Sequence, residues 1–152
     1  MTLLEPPKPA FPLLAVLRIP VNHSAADNFD LGGLAAPVNM ETGICGSAIM
    51  KRGQYPLPRF DKNPLSGAII KGQRLPFWHE TVAAACEAHN LLGASIPIIG
   101  WDIAVLEDGP LFIEMNRRSC NDLAQLPSGT PLGGTAYASC LLSCLRKAFN
   151  VP

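Results

Sequence analysis

Residues 100–116 read GWDIAVLEDGPLFIEMN, which is the pattern of two strands joined by a tight turn. The runs 101–106 and 111–115 are rich in β-branched, aromatic and aliphatic side chains, whereas the residues between them, Glu-Asp-Gly-Pro, are typical of a turn. The stretch therefore predicts a β-hairpin.

Three oxygen-bearing side chains, those of Asp102, Glu114 and Asn116, interrupt these apolar runs. A carboxylate on an apolar strand is costly unless its charge is compensated, and carboxylate and amide oxygens are ligands that hard divalent cations accept. We therefore expect these residues to hold a divalent cation. The alternative is a hairpin whose polar residues face water.

The length of the hairpin loop controls whether the three side chains meet, because side chains alternate between the faces of a strand. A two-residue turn beginning at Asp108 would place Asp102 opposite Met115, on the wrong face. A three-residue loop ending at Gly109, in the left-handed conformation of a G1 bulge, places Asp102 opposite Glu114. We expect the three-residue loop, because it gathers all three oxygens on one face.

Composition and charge exclude several classes of protein. The chain has 152 residues, enough for one domain with a core, and 48% of them are hydrophobic. No apolar run approaches the roughly 18 residues of a membrane span. Twelve basic residues balance twelve acidic ones. A formal net charge of zero argues against a nucleic acid or an anionic membrane as partner.

Cysteine usage and the first residues indicate the compartment. The five cysteines show neither a CxxC pair nor zinc spacing, so we interpret them as free thiols in a reducing environment. Residues 1–12 lack the basic-then-apolar form of a signal peptide and contain four prolines. We expect a cytoplasmic protein whose first twelve residues are an extended lead-in with little structure.

The remaining elements predict an α+β fold, with a mainly antiparallel sheet and two packing helices. Strands are expected at 13–19 and 34–38, and helices at 76–92 and 135–150. Each helix should pack through an apolar stripe. The stripe consists of Trp78, Val82, Cys86 and His89 in the first helix, and of Tyr137, Leu141, Leu145 and Phe149 in the second.

Residues 51–74 form the one locally basic segment and contain many glycines and prolines. They predict a long surface loop with a short strand at 68–71. Two interpretations remain open for its cations. They are either solvated, or they form a lid over an anionic ligand.

Several short motifs occur along the chain in a recognisable order. They are Arg18-Ile19 at a strand end, DNF at 27–29, GGLAAPV at 32–38, ETG at 41–43, GWDIA at 100–104 and IEMN at 113–116. In order and interval they resemble the sugar-transfer-associated branch of the ATP-grasp superfamily. The resemblance covers about residues 18–125.

The resemblance implies a set of functional residues. Asp102, Glu114 and Asn116 would hold the Mg²⁺ ions that bridge the phosphates of ATP. Arg18, in the first of these motifs, and Arg118, shortly after the last one, are candidates for contacting phosphate or an acyl-phosphate intermediate. Asn28 and Gly33 are weaker candidates for lining the nucleotide or substrate cleft.

The resemblance also implies a partial domain. Residues 13–150 look like the carboxyl-terminal lobe of an ATP-grasp fold, and we expect the amino-terminal nucleotide lobe to be missing. An open apolar cleft face would then favour self-association. Whether the chain is active alone stays open.

Three functions are compatible with these observations. The first is an ATP- and Mg²⁺-dependent ligase-type domain, linked to polysaccharide or sugar-conjugate biosynthesis, that acts on an unidentified carboxylate or amine substrate. The second is a noncatalytic module that binds a sugar or a peptide. The third is a hydrolase with Asp102 and Glu114 as acid and base. The third is disfavoured because Asn116 suits a cation better than an acid.

Overall fold

The computed structural model describes residues 1–21, 29–51, 56–93 and 95–149. The chain forms two compact units, each assembled from segments that are not contiguous in sequence. The first unit takes Met1–Leu14, Pro76–Cys120 and Pro131–Pro152, and the second takes Ala15–Leu75 and Asn121–Thr130. Each contains an antiparallel sheet and at least one helix, so the predicted α+β class is confirmed.

The described residues contain eight strands and three α-helices. The strands are β1 (Thr2–Leu3), β2 (Phe11–Pro12), β3 (Ala15–Ile19), β4 (Leu34–Val38), β5 (Ala48–Met50), β6 (Arg59–Phe60), β7 (Ile98–Leu106) and β8 (Gly109–Asn116). The helices are α1 (Trp78–Leu92), α2 (Asn121–Gln125) and α3 (Ala136–Phe149). No helix in these ranges is long and apolar enough to cross a membrane.

The sheet of the first unit has the order β2-β1-β7-β8. Its first two strands come from residues 1–12, for which the sequence predicted little structure. That prediction is wrong, because β1 pairs with β7 and the side chains of Thr2 and Leu3 are buried. The prolines of this segment lie where the missing N–H costs little, in the connection between the two short strands and at the end of β2.

Helix α1 begins two residues after the predicted start and ends at the predicted Leu92. Its buried side chains are those of Trp78, Thr81, Ala85 and His89, whereas Val82 and Cys86 are half-buried. The two ends of the predicted stripe, Trp78 and His89, are buried as expected. In the middle of the helix the buried residues are the smaller Thr81 and Ala85, each one position before the predicted residue. Small side chains at these positions suit close packing of α1 against the strands of the first unit.

Helix α3 spans the predicted segment, but its packing face was predicted wrongly. Leu141, Leu145 and Phe149 are 38%, 43% and 72% exposed, and the buried side chain is that of Cys140. Burial raises the pKa of the Cys140 thiol to about 11, so it is protonated at neutral pH. Cys140 acts here as a small apolar side chain.

The second unit is built on the sheet β3-β4-β5-β6. Strand β4 has the predicted bounds, and β3 covers the last five residues of its predicted strand. The core of this unit is a cluster of buried apolar side chains with partly buried ones packed on it. Its members are Phe29, Ala35 and Ile49, with Val16, Leu57, Leu123 and Leu126 against them.

The described stretch of the basic segment, residues 56–74, is more ordered than a surface loop. It contributes β6, which was not predicted, and a single bridge between Lys62 and Ile69 stands where a short strand was expected. Asn63 anchors the turn between the bridged residues, since its side-chain oxygen accepts the backbone N–H groups of Leu65 and Ser66 at 2.9 and 3.3 Å. Local side-chain capping holds this segment.

Candidate metal-binding site

The hairpin of β7 and β8 gathers the three predicted oxygen donors on one face. Asp102 lies directly opposite Glu114, and Gly100 lies opposite Asn116. Glu114 and Asn116 are two residues apart on β8, so they share the face of Asp102. The predicted pairing of Asp102 with Glu114 is confirmed.

The loop that produces this pairing differs from the predicted one. Leu106 pairs with Gly109, so the loop has two residues, Glu107 and Asp108. The φ of Gly109 is +137°, which lies outside the left-handed helical conformation expected for a G1 bulge. A regular ladder from this loop would place Asp102 opposite Ile113.

An irregularity inside the hairpin restores the pairing. Ile103 pairs with Phe112, but Asp102 pairs with Glu114, so Ile113 is an extra residue on β8. Such a bulge re-aims the side chains that follow it. It sends Phe112 to one face of the hairpin and Glu114 to the other, whereas a regular strand would put both on the same face.

The opposite face of the hairpin is anchored to its own unit. The rings of Trp101 and Phe112 make an edge-to-face contact with centroids 5.4 Å apart. The indole N–H of Trp101 donates to Oγ1 of Thr2 at 2.8 Å. Because Trp101 precedes Asp102 on β7, this anchor fixes the rotation of the strand at the carboxylate.

The donor face is accessible to solvent. Glu114 is exposed, and Asp102 and Asn116 are half-buried. The expected penalty for a carboxylate on an apolar strand therefore does not apply to Glu114, because water can solvate it. Two carboxylates and one amide oxygen form a hard-donor set that fits Mg²⁺. Within the described ranges, no group of three or more His, Cys, Asp and Glu side chains could hold a metal.

The space over Gly100 is filled by another polar side chain. A Cβ atom added to Gly100 would lie 2.6 Å from Cβ and 3.3 Å from Oγ of Ser119, and 3.6 Å from Cβ of Asn116. Ser119 thus lies beside Asn116, on the donor face. Sequence reasoning missed it, since a serine three residues beyond the last predicted ligand carries no signal of its own.

The other predicted site residues are distributed over both units. Arg118 is exposed and follows β8 in the first unit. Arg18, which is half-buried, lies on β3 opposite Ala35, and the buried Gly33 directly precedes β4 in the second unit. Asn28 lies outside the described residues. Within the first unit, the structure brings together Asp102, Glu114 and Asn116 on one face of the hairpin.

Two lysines of the basic segment are engaged by carboxylates within the second unit. Nζ of Lys51 lies 2.5 Å from Asp30 and 2.8 Å from Asp122, and these hydrogen bonds, the one to Asp122 first, raise the lysine pKa. Nζ of Lys71 lies 3.4 Å from Asp61. The sequence analysis predicted neither ion pair. The partners of Lys51 in particular are distant from it in the sequence. Because carboxylates neutralise these two lysines, the segment has less positive charge with which to cover an anionic ligand as a lid.

The chain matches a known family over most of its length. The family described as sugar-transfer associated ATP-grasp matches residues 2–138, which is most of the 152-residue chain. The chain belongs to this family. No curated protein and no solved structure matches it. The ATP-grasp match extends beyond residues 18–125, which carried the resemblance, and it takes in β1 and the first residues of α3.

Proposed function

We propose that this ATP-grasp chain carries the magnesium-binding hairpin of an ATP-dependent ligase of the carboxylate–amine type. The observation that carries the proposal is the pairing of Asp102 with Glu114, with Asn116 on the same face, in a chain of this family. The family supports ATP as the nucleotide and a sugar-transfer association.

The donor face supplies the chemistry that phosphoryl transfer needs. Asp102, Glu114 and Asn116 would hold Mg²⁺, and a metal bound there would supply positive charge against the negative charge of the phosphates. Positioning and charge neutralisation provide most of the catalysis in such a reaction, so no protein nucleophile is required. Arg118, directly after β8, offers a planar guanidinium that can bind phosphate through two hydrogen bonds. The roles of Arg18, Asn28 and Gly33 rest on the family motifs alone.

The free thiols support a cytoplasmic location. All five cysteines are free, and Cys45 and Cys140 are buried. Free thiols are typical of reducing compartments, which supports the cytoplasm.

The proposal is tested by measuring the affinity of the chain for Mn²⁺ and for Mg²⁺ with ATP, by titration followed with electron paramagnetic resonance and calorimetry. Glu114→Gln should weaken cation binding by about tenfold or more, because it removes a charged ligand. Glu107→Gln is the matched control, since Glu107 is an exposed carboxylate in the loop of the same hairpin. Its affinity should equal that of the unaltered chain.

The alternative function, a noncatalytic module for a sugar or a peptide, gives the opposite result. Ligand binding would then be the same in Glu114→Gln and Asp102→Asn as in the unaltered chain. Equal Mn²⁺ affinity in Glu114→Gln and Glu107→Gln would end the magnesium proposal.

A further inference from the structure

Gly100 is needed for space and not for backbone conformation. It lies inside β7 and is not among the glycines with positive φ, so its backbone is one that any residue adopts. A Cβ atom there would lie 2.6 Å from Cβ of Ser119, closer than real side chains approach. The missing side chain of Gly100 is therefore what admits Ser119 to the surface of the sheet.

Ser119 lies at the fourth position of a group of four neighbouring positions on the donor face of the hairpin. On one face of an antiparallel pair, opposed residues are about 5 Å apart and successive rows about 7 Å apart. Asp102 and Glu114 form one row, and Gly100 and Asn116 form the next. Three of these positions carry oxygen donors, and the fourth, above Gly100, is occupied by the Ser119 side chain with its Oγ 3.3 Å from the absent Cβ position.

We propose that the Ser119 hydroxyl is a fourth oxygen ligand of the divalent cation held by Asp102, Glu114 and Asn116. This inference rests on the proposed function. A hydroxyl adds a hard donor without adding charge to the two carboxylates. Serine and threonine hydroxyls serve as Mg²⁺ ligands in the same way in P-loop nucleotide sites.

The test is a Mn²⁺ titration of the full chain, followed by electron paramagnetic resonance. Ser119→Ala should raise the Kd for Mn²⁺ about tenfold, and Ser119→Thr, which keeps the hydroxyl, should stay within about threefold of the unaltered chain. Ser139→Ala is the control, since the hydroxyl of Ser139 is exposed and bonds to the carbonyl of Ala136 on α3. Without metal, Ser119→Ala should melt at the same temperature as the unaltered chain.

A second pair of variants separates the space from the hydroxyl. Gly100→Ala should lower both stability and Mn²⁺ affinity, because the new methyl group collides with Ser119. The double variant Gly100→Ala with Ser119→Gly removes that collision. It should regain the melting temperature of the unaltered chain and keep the weak affinity of Ser119→Ala.

The outcomes distinguish this inference from the function on which it rests. If Ser119→Ala binds Mn²⁺ as tightly as the unaltered chain while Glu114→Gln does not, Ser119 is no ligand and the magnesium hairpin stands. If the unaltered chain binds no Mn²⁺, both are overturned. Recovery of affinity in the double variant would also exclude a role for the hydroxyl.

Discussion

Oγ1 of Thr2 lies 2.8 Å from Nδ1 of His89, at a position where both side chains are buried. Nε2 of the same ring lies 2.7 Å from the carbonyl oxygen of Ile96. A carbonyl can only accept, so Nε2 carries the proton and Nδ1 of the neutral ring accepts from the Thr2 hydroxyl. The indole N–H of Trp101 donates to the same hydroxyl oxygen, which links α1, β1 and β7 through one hydroxyl.

The neutral state of His89 predicts a loss of stability in mild acid. Burial lowers its pKa in the folded protein, so as pH falls the unfolded chain, with a histidine pKa of about 6.5, binds the proton first. The contribution of His89 is therefore fully present above pH 6.5 and is lost as the pH falls through and below that value. Urea unfolding of the unaltered chain between pH 8 and 5 should show this decline.

His89→Gln provides the comparison. Its side-chain amide can still donate to the carbonyl of Ile96, but it does not titrate. Its free energy of unfolding should decline less between pH 7 and pH 5. Parallel pH profiles for the two proteins would show that His89 is not responsible.

Removing the Thr2 hydroxyl should destabilise the first unit. Thr2→Val keeps the shape of the side chain but leaves Nδ1 of His89 without its donor and the Trp101 N–H without its acceptor, at a cost of about 2–3 kcal/mol in the free energy of unfolding. Thr2→Ser keeps the hydroxyl and should cost less than about 1 kcal/mol. Urea denaturation measures both, and equal losses would mean that the hydroxyl bonds contribute nothing.

Deleting Ile113 should leave the candidate site intact. Ile113 is 66% exposed and is the extra residue of the bulge. Without it, a regular ladder from the two-residue loop still places Glu114 opposite Asp102. We expect Mn²⁺ affinity within about threefold of that of the unaltered chain, since no ligand is lost.

Deleting Leu111 instead is the matched control, because this residue lies on the same strand before the bulge and is also exposed. The shortened strand can pair Glu114 with Asp102 only by turning Phe112 away from Trp101. The lost aromatic contact and burial should cost about 2–3 kcal/mol in the free energy of unfolding. Equal stability of the two deletions would contradict the assignment of Ile113 as the extra residue.

The exposed face of α3 predicts tolerance to polar substitution. Leu145 is 43% exposed, so Leu145→Ser should lower the free energy of unfolding by less than about 1 kcal/mol. Cys140 is 3% exposed, so Cys140→Asp should cost about 3 kcal/mol or more, because a carboxylate is buried without a partner. Thermal unfolding followed by circular dichroism measures the loss of stability in each variant. A larger loss in Leu145→Ser than in Cys140→Asp would support the packing face that the sequence predicted.

The sequence was sufficient for the hairpin and for its three oxygen donors, because polar residues in apolar strands and a turn composition are local signals. The loop length was not predictable, since a bulge at Ile113 compensates for a shorter loop and nothing in the strand composition marks it. The predicted loop was one residue too long, and the one-residue bulge at Ile113 was not predicted, so the two errors cancel at Asp102.

Contacts between segments that are distant in the sequence could not be predicted from sequence patterns. Thr2 and His89 are 87 residues apart, so no periodicity links them. The four-residue spacing of Leu141 and Leu145 shows that α3 has an apolar face, but spacing does not show which element covers a face. For the same reason nothing in the sequence around Gly100 indicates that Ser119 lies above it.

The interleaving of the two units along the chain limits how the protein can be dissected. The core around Phe29 and Ile49 includes Leu123 and Leu126. These two leucines follow the whole β7–β8 hairpin in the sequence, although they belong to the second unit. A protease cut after Leu75 would thus release a fragment with an unfilled core, and expressing residues 15–75 alone should yield an aggregating product. A self-sufficient second unit needs residues 121–130 joined back to it by an engineered linker.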